Sequence, residues 1–369
     1  MQEKSKILII GYEEYDNNMY PHTKAIIDKL GQVQKVEYFN FKQRGFLWIK
    51  KDYHIKDYIK SFASTIRLII EAIRNLKRLS KIINDYNYVI AIDHYIYVLV
   101  SLFMCNKKTK YILWSYDIIV KKGPYYSKLW IKLILRLFPL IIQKHKYIII
   151  QDDERFQLLK DTVNIQNQDI NIFYLPVCIE DIPLQYNKRK NLRDKPLLLQ
   201  CGYIGFIRNS HFFTEHYQKH YLEYNLMFHG KISENFSLLL KKIEIKPILS
   251  LDLIVPNEVY KIIDECDIGI ISYMIRGDMN SFFMANACGQ LCEFLRMGKP
   301  VIIMGNMNLS KLVEKYKFGI VISDIFQLKD AINKIKEDYQ DYSDNAKRCF
   351  DENYIVDRYI ERLHTWIIK

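Results

Sequence analysis

The sequence has 369 residues, 49 % of them hydrophobic and 26 % charged, a balance that excludes a disordered chain and supplies a sizeable core. That length exceeds the roughly 250 to 300 residues at which a single core stops growing, so two domains are expected. A net charge of +12 calls for an anionic partner, and the lack of any zinc-finger or RNA-recognition pattern argues against nucleic acid.

In chain order, KILIIG (from Lys6) is expected as a strand, TKAIIDKLG (23–31) as a helix closed by glycine, and VQKVEYFN (33–40) as a second strand. KSFASTIRLIIEAIRNLKRLSK (60–81) is a basic helix with six cations against one Glu. YVIAID (88–93), KYILWSYD (110–117) and KYIIIQD (146–152) are apolar enough to be strands buried on both faces. The most apolar run, 89–105, carries Asp93 and His94 and falls short of the ~20 residues that span a bilayer. The short apolar run after the N-terminus is no signal-peptide core. The chain is therefore not expected to cross a membrane.

Between two of these strands, KKGPYYSKLWIKLILRLFPLIIQKHK (121–146) holds seven Lys or Arg and no acid. Lys128, Lys132 and Arg136 recur at helical spacing, Trp130 lies on an apolar face, and Pro139 should end or kink the helix. Such a helix suits an anionic membrane surface; a solvated amphipathic helix is the plainer alternative.

INIFYLPV (170–177) closes the first half, and a polar stretch with two prolines follows. The boundaries expected are a first domain at 1–180, a linker at 181–196, a second domain at 197–345 and a terminal helix at 346–369 packing back on the first domain. The second half repeats the alternation: LLLQCGYIG (197–205), YNLMFHG (224–230), EVYKIIDECDIGIISY (258–273), CGQLCEFLRMGKPVIIMG (288–305) and FGIVISD (318–324). The fold class expected is α/β: two doubly wound, Rossmann-like domains facing a cleft, with ligands at the carboxyl ends of the strands.

The seven cysteines (Cys105, Cys178, Cys201, Cys266, Cys288, Cys292 and Cys349) include no CxxC pair. They are expected to be reduced, buried thiols of a cytosolic protein. Cys288 and Cys292 share helical spacing, but nothing completes a zinc-like set, so no metal site is expected.

Residues 288–297 are expected to form a short helix with Gly298 just past its end and Pro300 barring continuation. Its start, Ala287, Cys288 and Gly289, is small enough for a ligand to approach the free N–H groups, which makes it a phosphate site. Glu293 lies one turn deeper on the same face, about 6 Å along the axis, the step from a diphosphate to the ribose of one nucleotide. A solvent-facing glutamate is the competing reading.

Residues 265–305 taken together resemble the donor-binding half of GT-B glycosyltransferases, which move a sugar from a nucleotide sugar. Asp267, Gly269, Tyr273, Gly289, Leu291, Glu293, Phe294, Leu295, Gly298, Lys299, Pro300, Val301 and Ile302 fit the family pattern. LLLQCGYIGFIRN is similar to the family's first strand and glycine turn in that domain, MFHGKI to its third strand, and LPVCIED to the exit from the first domain. The resemblance implies a donor site formed by Glu293, Gly289, Gln290, Leu291, Cys288, Gly205, Arg208, His229, Lys231, Tyr273 and Asp278. Gln290 stands where many relatives have lysine, so Arg208 or Lys231 must supply the cation. Ala285 stands where many retaining members have a second glutamate, so retention is not implied.

An inverting transfer needs a base for the acceptor hydroxyl. The candidates are Asp117 at the end of KYILWSYD, then Asp93 and His94. No cofactor is expected beyond the donor substrate, and the chemistry is expected to be metal-independent. The partners expected are a nucleotide sugar, a lipid-linked or saccharide acceptor and an anionic membrane surface, contacted by Lys128, Trp130, Lys132 and Arg136. The role implied is bacterial cell-surface polysaccharide synthesis by a cytoplasmic, peripheral protein on the inner face of the membrane. A non-catalytic partner subunit or a nucleotide-sugar epimerase of the same fold are the alternatives.

Overall fold

The computed structural model describes residues 6–13, 15, 19–41, 72–103, 108–118, 129–165, 169–181, 192–250, 258–274, 279–305 and 307–369. The chain divides into two compact units, Met1–Leu175 with Asp357–Lys369, and Pro176–Val356.

Unit 1 is built on a parallel sheet of β1 (Lys6–Gly11), β2 (Lys35–Asn40), β3 (Tyr88–Ile92), β4 (Lys110–Trp114), β5 (Tyr147–Ile150) and β6 (Asn171–Tyr174). The strand order is β2-β1-β3-β4-β5-β6, so the chain reverses direction beside β1. Around it lie α1 (Pro21–Val33), a helical stretch at 72–79, α2 (His94–Phe103), α3 (Leu129–His145) and α4 (Asp153–Val163). The interior positions of β1, β3, β4 and β5 are almost all apolar and buried, as sheets covered on both faces require. Helix α1 does not stop at Gly31, as its glycine suggested, but runs two residues further; a glycine inside a helix costs about 1 kcal/mol, which buried Ile26, Ile27 and Leu30 offset. Pro139 does not end α3 either, since the helix continues to His145.

Unit 2 repeats the plan with β7 (Leu197–Ile204), β8 (Asn225–Ile232), β9 (Ile248–Ser250), β10 (Ile268–Ser272), β11 (Val301–Met304) and β12 (Gly319–Ile322), in the order β12-β11-β10-β7-β8-β9. Its helices are α5 (Ser210–His220), α6 (Glu234–Lys242), α7 (Val259–Glu265), α8 (Met279–Phe282), α9 (Gly289–Arg296), α10 (Met307–Tyr316), α11 (Leu328–Glu337) and α12 (Tyr339–Asn353). α13 (Asp357–Ile368) belongs to unit 1. Two doubly wound parallel sheets are thus the fold class expected.

The domain boundaries differ from those expected. The division falls at Leu175/Pro176, because Val177 N–H bonds to the Asn286 carbonyl at 2.8 Å and Ile179 bridges Ile355, lacing 176–179 into unit 2. The expected linker 181–196 therefore lies inside unit 2, and 182–191 are outside the described residues. Nor is 346–369 one helix. The chain leaves helical geometry at Tyr354–Val356 to pair with Ile179, so α12 stays with unit 2 and only α13 returns to unit 1.

Candidate functional site

In unit 2 the site residues gather at the carboxyl ends of β7, β8 and β10 and the start of α9. α9 spans Gly289–Arg296 with Met297 as C-cap. Gly298 follows at φ +61, the left-handed position for which the sequence supplied a glycine. Gly269 on β10 lets the Phe294 ring lie against the strand, where a Cβ would meet ring carbons at 2.7 Å. Lys299 is structural, its ammonium donating to the Asp264 carbonyl at 2.9 Å. So is Asp267, whose buried carboxylate accepts the Leu197 N–H at 2.8 Å and fixes the start of β7.

The start of α9 is capped by Cys288, whose thiol accepts the Leu291 N–H at 3.4 Å. This leaves the N–H groups of Gly289 and Gln290 at the positive end of the helix. Space beside Gly289 is open: the nearest atom to where a Cβ would stand is a Val177 methyl at 3.9 Å. The Gln290 side chain turns away from that opening, donating to the Cys201 carbonyl and covering Gly202. Gly202 and Gly230 face each other across the ends of β7 and β8, both at positive φ; a Cβ on Gly230 would run into the Gly202 carbonyl.

Glu293 is 8 % exposed, buried rather than solvent-facing, and pairs with Arg296 at 2.5 Å from Nη2 to Oε2. Burial raises its pKa and the Arg296 guanidinium opposes the rise.

Arg208 lies in the turn after β7, with its guanidinium carbon 3.7 Å from the centroid of the Tyr273 ring. That turn is tied down by the Gln200 amide on the Arg208 carbonyl at 2.8 Å, by Met274 N–H on the Ile207 carbonyl at 3.0 Å, and by the Asn209 amide on Ser272 Oγ at 2.9 Å. Gly205 opens the turn. His229 is buried and shares a 3.0 Å hydrogen bond with Ser250, while Lys231 is exposed two residues on. Leu291 is buried core. Asp278 lies outside the described residues. Asn209 and Ser272 were missed by sequence reasoning. An Asn in a turn before a helix was the available signal, and Asn209 does take φ +54, a conformation asparagine tolerates.

In unit 1 a second cluster stands at the carboxyl ends of β1, β3 and β4. Asp93 follows β3 at φ +70, and its Oδ1 is buried with no hydrogen-bond partner among the described residues. Burial pushes its pKa up to about 7, Asp117 adding to the rise and the amides of Asp117 and Tyr116 opposing it. Asp117 itself is exposed. His94 opens α2 against Phe138, and burial, then Arg155, lowers it to about 4, so it is neutral at pH 7. Fully buried Arg155 holds the β4 exit, donating to Gln151 at 2.7 Å and to the Tyr116 carbonyl at 2.5 Å. Sequence reasoning missed Glu13, Tyr20 and His22. The Glu13 carboxylate accepts the Tyr20 N–H at 3.1 Å, and the His22 ring meets Tyr116 edge-on at 5.0 Å, with burial lowering its pKa to about 4.

On α3, Lys132 and Arg136 are exposed together with Leu133 and Leu140, which are 56 % and 66 % exposed. Trp130 lies within α3, and Lys128 is outside the described residues. No helix among the described residues is long and apolar enough to cross a membrane, and none of their His, Cys, Asp and Glu side chains group to hold a metal ion.

The two doubly wound parallel sheets are those of the GT-B fold. Across 98 % of both chains the structure matches HepE of Anabaena, crystallised with UDP-glucose, at TM-score 0.67 and 12 % identity. It matches sucrose-phosphate synthase from Thermosynechococcus elongatus over 98 % of both chains at 0.68 and 11 %, and a glycosyltransferase from Rickettsia africae over 99 % of both at 0.66 and 14 %. Residues 254–359 match the glucosyltransferase 3-like C-terminal domain family, and that stretch contains β10, α9 and Glu293. A search of curated proteins finds no match. The fold is that of GT-B glycosyltransferases, as the resemblance at 265–305 implied, and the family match lies within its second unit except for its last three residues.

Proposed function

We propose that the protein transfers a sugar from a nucleotide-sugar donor, held by unit 2, to a saccharide acceptor bound by unit 1. The observation that carries the reading is the start of α9: open N–H groups beside Gly289, with the buried Glu293 carboxylate one turn deeper. The helix start suits the diphosphate and Glu293 the ribose hydroxyls. Arg208 is the cation beside them, so charge developing on the leaving nucleoside diphosphate is met by fixed donors without a required metal. HepE binds UDP-glucose, which makes UDP-sugars the first donors to try.

Asp93 is the base in this reading. A pKa near 7 suits a group that must accept the acceptor hydroxyl's proton as oxygen attacks the anomeric carbon. His94, held neutral and packed on Phe138, is a wall rather than a proton carrier. The acceptor is lipid-linked and the product a bacterial cell-surface polysaccharide made on the inner face of the cytoplasmic membrane. Support comes from the exposed lysine, arginine and leucine face of α3, which fits an anionic lipid surface.

The test is a thermal-shift screen of UDP-, GDP-, ADP-, CMP- and dTDP-sugars followed by an assay of nucleotide release. One donor should raise the melting temperature and release its nucleotide, and Glu293→Ala should abolish both. If no donor shifts the melting temperature at millimolar concentration, the chain is a non-catalytic partner subunit.

A further inference from the structure

Tyr273 follows β10 with its ring beneath one charged group and its hydroxyl on another element. The Arg208 guanidinium lies over the ring at 3.7 Å, and the hydroxyl meets the Cys288 thiol at 3.4 Å. That thiol in turn caps α9 through the Leu291 N–H at 3.4 Å. Tyr273 and Cys288 are buried, at 8 % and 2 % exposure, so the chain Arg208–Tyr273–Cys288–Leu291 is fixed by packing. Arg208 is only held from one side: its Nη1 is buried with no hydrogen-bond partner among the described residues. A buried guanidinium N–H left over is a donor waiting for an anion. The Gln290 carboxamide is committed elsewhere, donating to the Cys201 carbonyl.

The geometry points to Tyr273 as a positioning residue that tethers the Arg208 guanidinium to the N-terminus of α9, making one anion site of two separate positive elements. The inference rests on the donor reading of unit 2 and extends it. Tyr273 touches no phosphate in this scheme; its ring face holds the cation and its hydroxyl fixes the ring to the helix cap. The diphosphate is then gripped by the Gly289 and Gln290 N–H groups and by Arg208, with lysine at 290 made unnecessary. Cys288 works as the joint, a thiol that meets the tyrosine hydroxyl on one side and accepts the helix amide on the other.

The experiment is a double-mutant cycle on the full chain, with UDP and uridine as probes followed by ligand-observed NMR and calorimetry. Tyr273→Leu should weaken UDP about tenfold and leave uridine within about twofold, the size expected for a partly desolvated cation–π contact. Tyr273→Phe keeps the ring and fills the same space, so it guards against misfolding; its loss should be smaller, about threefold. Arg208→Ala combined with Tyr273→Leu should bind UDP no more weakly than Arg208→Ala alone. Additive losses would show that Tyr273 acts independently of Arg208 and overturn the inference, as would equal losses for UDP and uridine. If the wild-type chain binds no UDP, the donor reading falls for that nucleotide and takes this inference with it. Binding by the wild type with an additive cycle removes only the tether.

Discussion

Glu293 and Arg296 sit three residues apart on α9, joined at 2.5 Å, with both side chains buried. Burial pushes the Glu293 carboxyl's pKa up and the Arg296 guanidinium opposes that rise, so the arginine offsets part of the cost of an interior carboxylate. Arg296→Met should leave that carboxylate buried and uncompensated, costing about 3–5 kcal/mol. Denaturant unfolding would measure this, and an unchanged midpoint would mean that the pair contributes nothing.

Asp93 should set the acid limb of the pH–rate profile. With its pKa near 7, kcat/KM should rise with pH through that value as the carboxylate loses its proton. Asp93→Asn should lower kcat by about 10²–10⁴ and abolish the limb, whereas Asp117→Asn should keep it. The reverse pattern would move the base to Asp117.

The same residue should link stability to pH. Its folded pKa is raised from 3.8 to about 7, so the folded state holds a proton that the unfolded chain has released. The sign follows: its contribution is greatest below about pH 4 and is lost as pH climbs through 7. Asp93→Asn should therefore stabilise the protein more at pH 8 than at pH 5. Equal shifts in melting temperature at the two values would refute the burial argument.

Lys110 fastens α13 to unit 1. Its ammonium donates to the carbonyls of Trp366 at 3.3 Å and Ile367 at 2.9 Å, above the Tyr147 ring at 3.7 Å. Lys110→Ala should speed hydrogen exchange across 357–368 by at least about tenfold, the size of one lost charge-assisted bond. Unchanged protection there would show that apolar packing alone seats the helix.

The α3 face should direct vesicle binding. Lys132→Glu with Arg136→Glu should sharply reduce flotation with phosphatidylserine vesicles, since each cation near such a surface is worth about 1 kcal/mol. The wild type should float with those vesicles and remain behind with neutral phosphatidylcholine. Flotation unaffected by charge reversal would assign the face to ordinary solvation.

How much was readable in the sequence followed from how local each signal is. α9, its Gly298 stop and the strands buried on both faces are short-range patterns, and they were legible. The fold followed from their alternation. Gln290's turn onto Cys201, the stacking of Arg208 on Tyr273 and the meeting of His22 with Tyr116 join residues 65 or more positions apart. A parallel sheet brings such residues together only once its strand order is set, and no spacing rule encodes that. Gly31 misled for the opposite reason: it carries a strong local preference that buried neighbours override.

The assignment of α13 to unit 1 gives the chain an unusual order of assembly. Asp357–Lys369 leaves the ribosome only after all of unit 2 has been synthesised, yet it supplies the carbonyls that Lys110 grips and the Trp366 ring that meets Tyr147 and Phe173. Unit 1 must therefore wait, its surface for α13 bare, while its successor is translated.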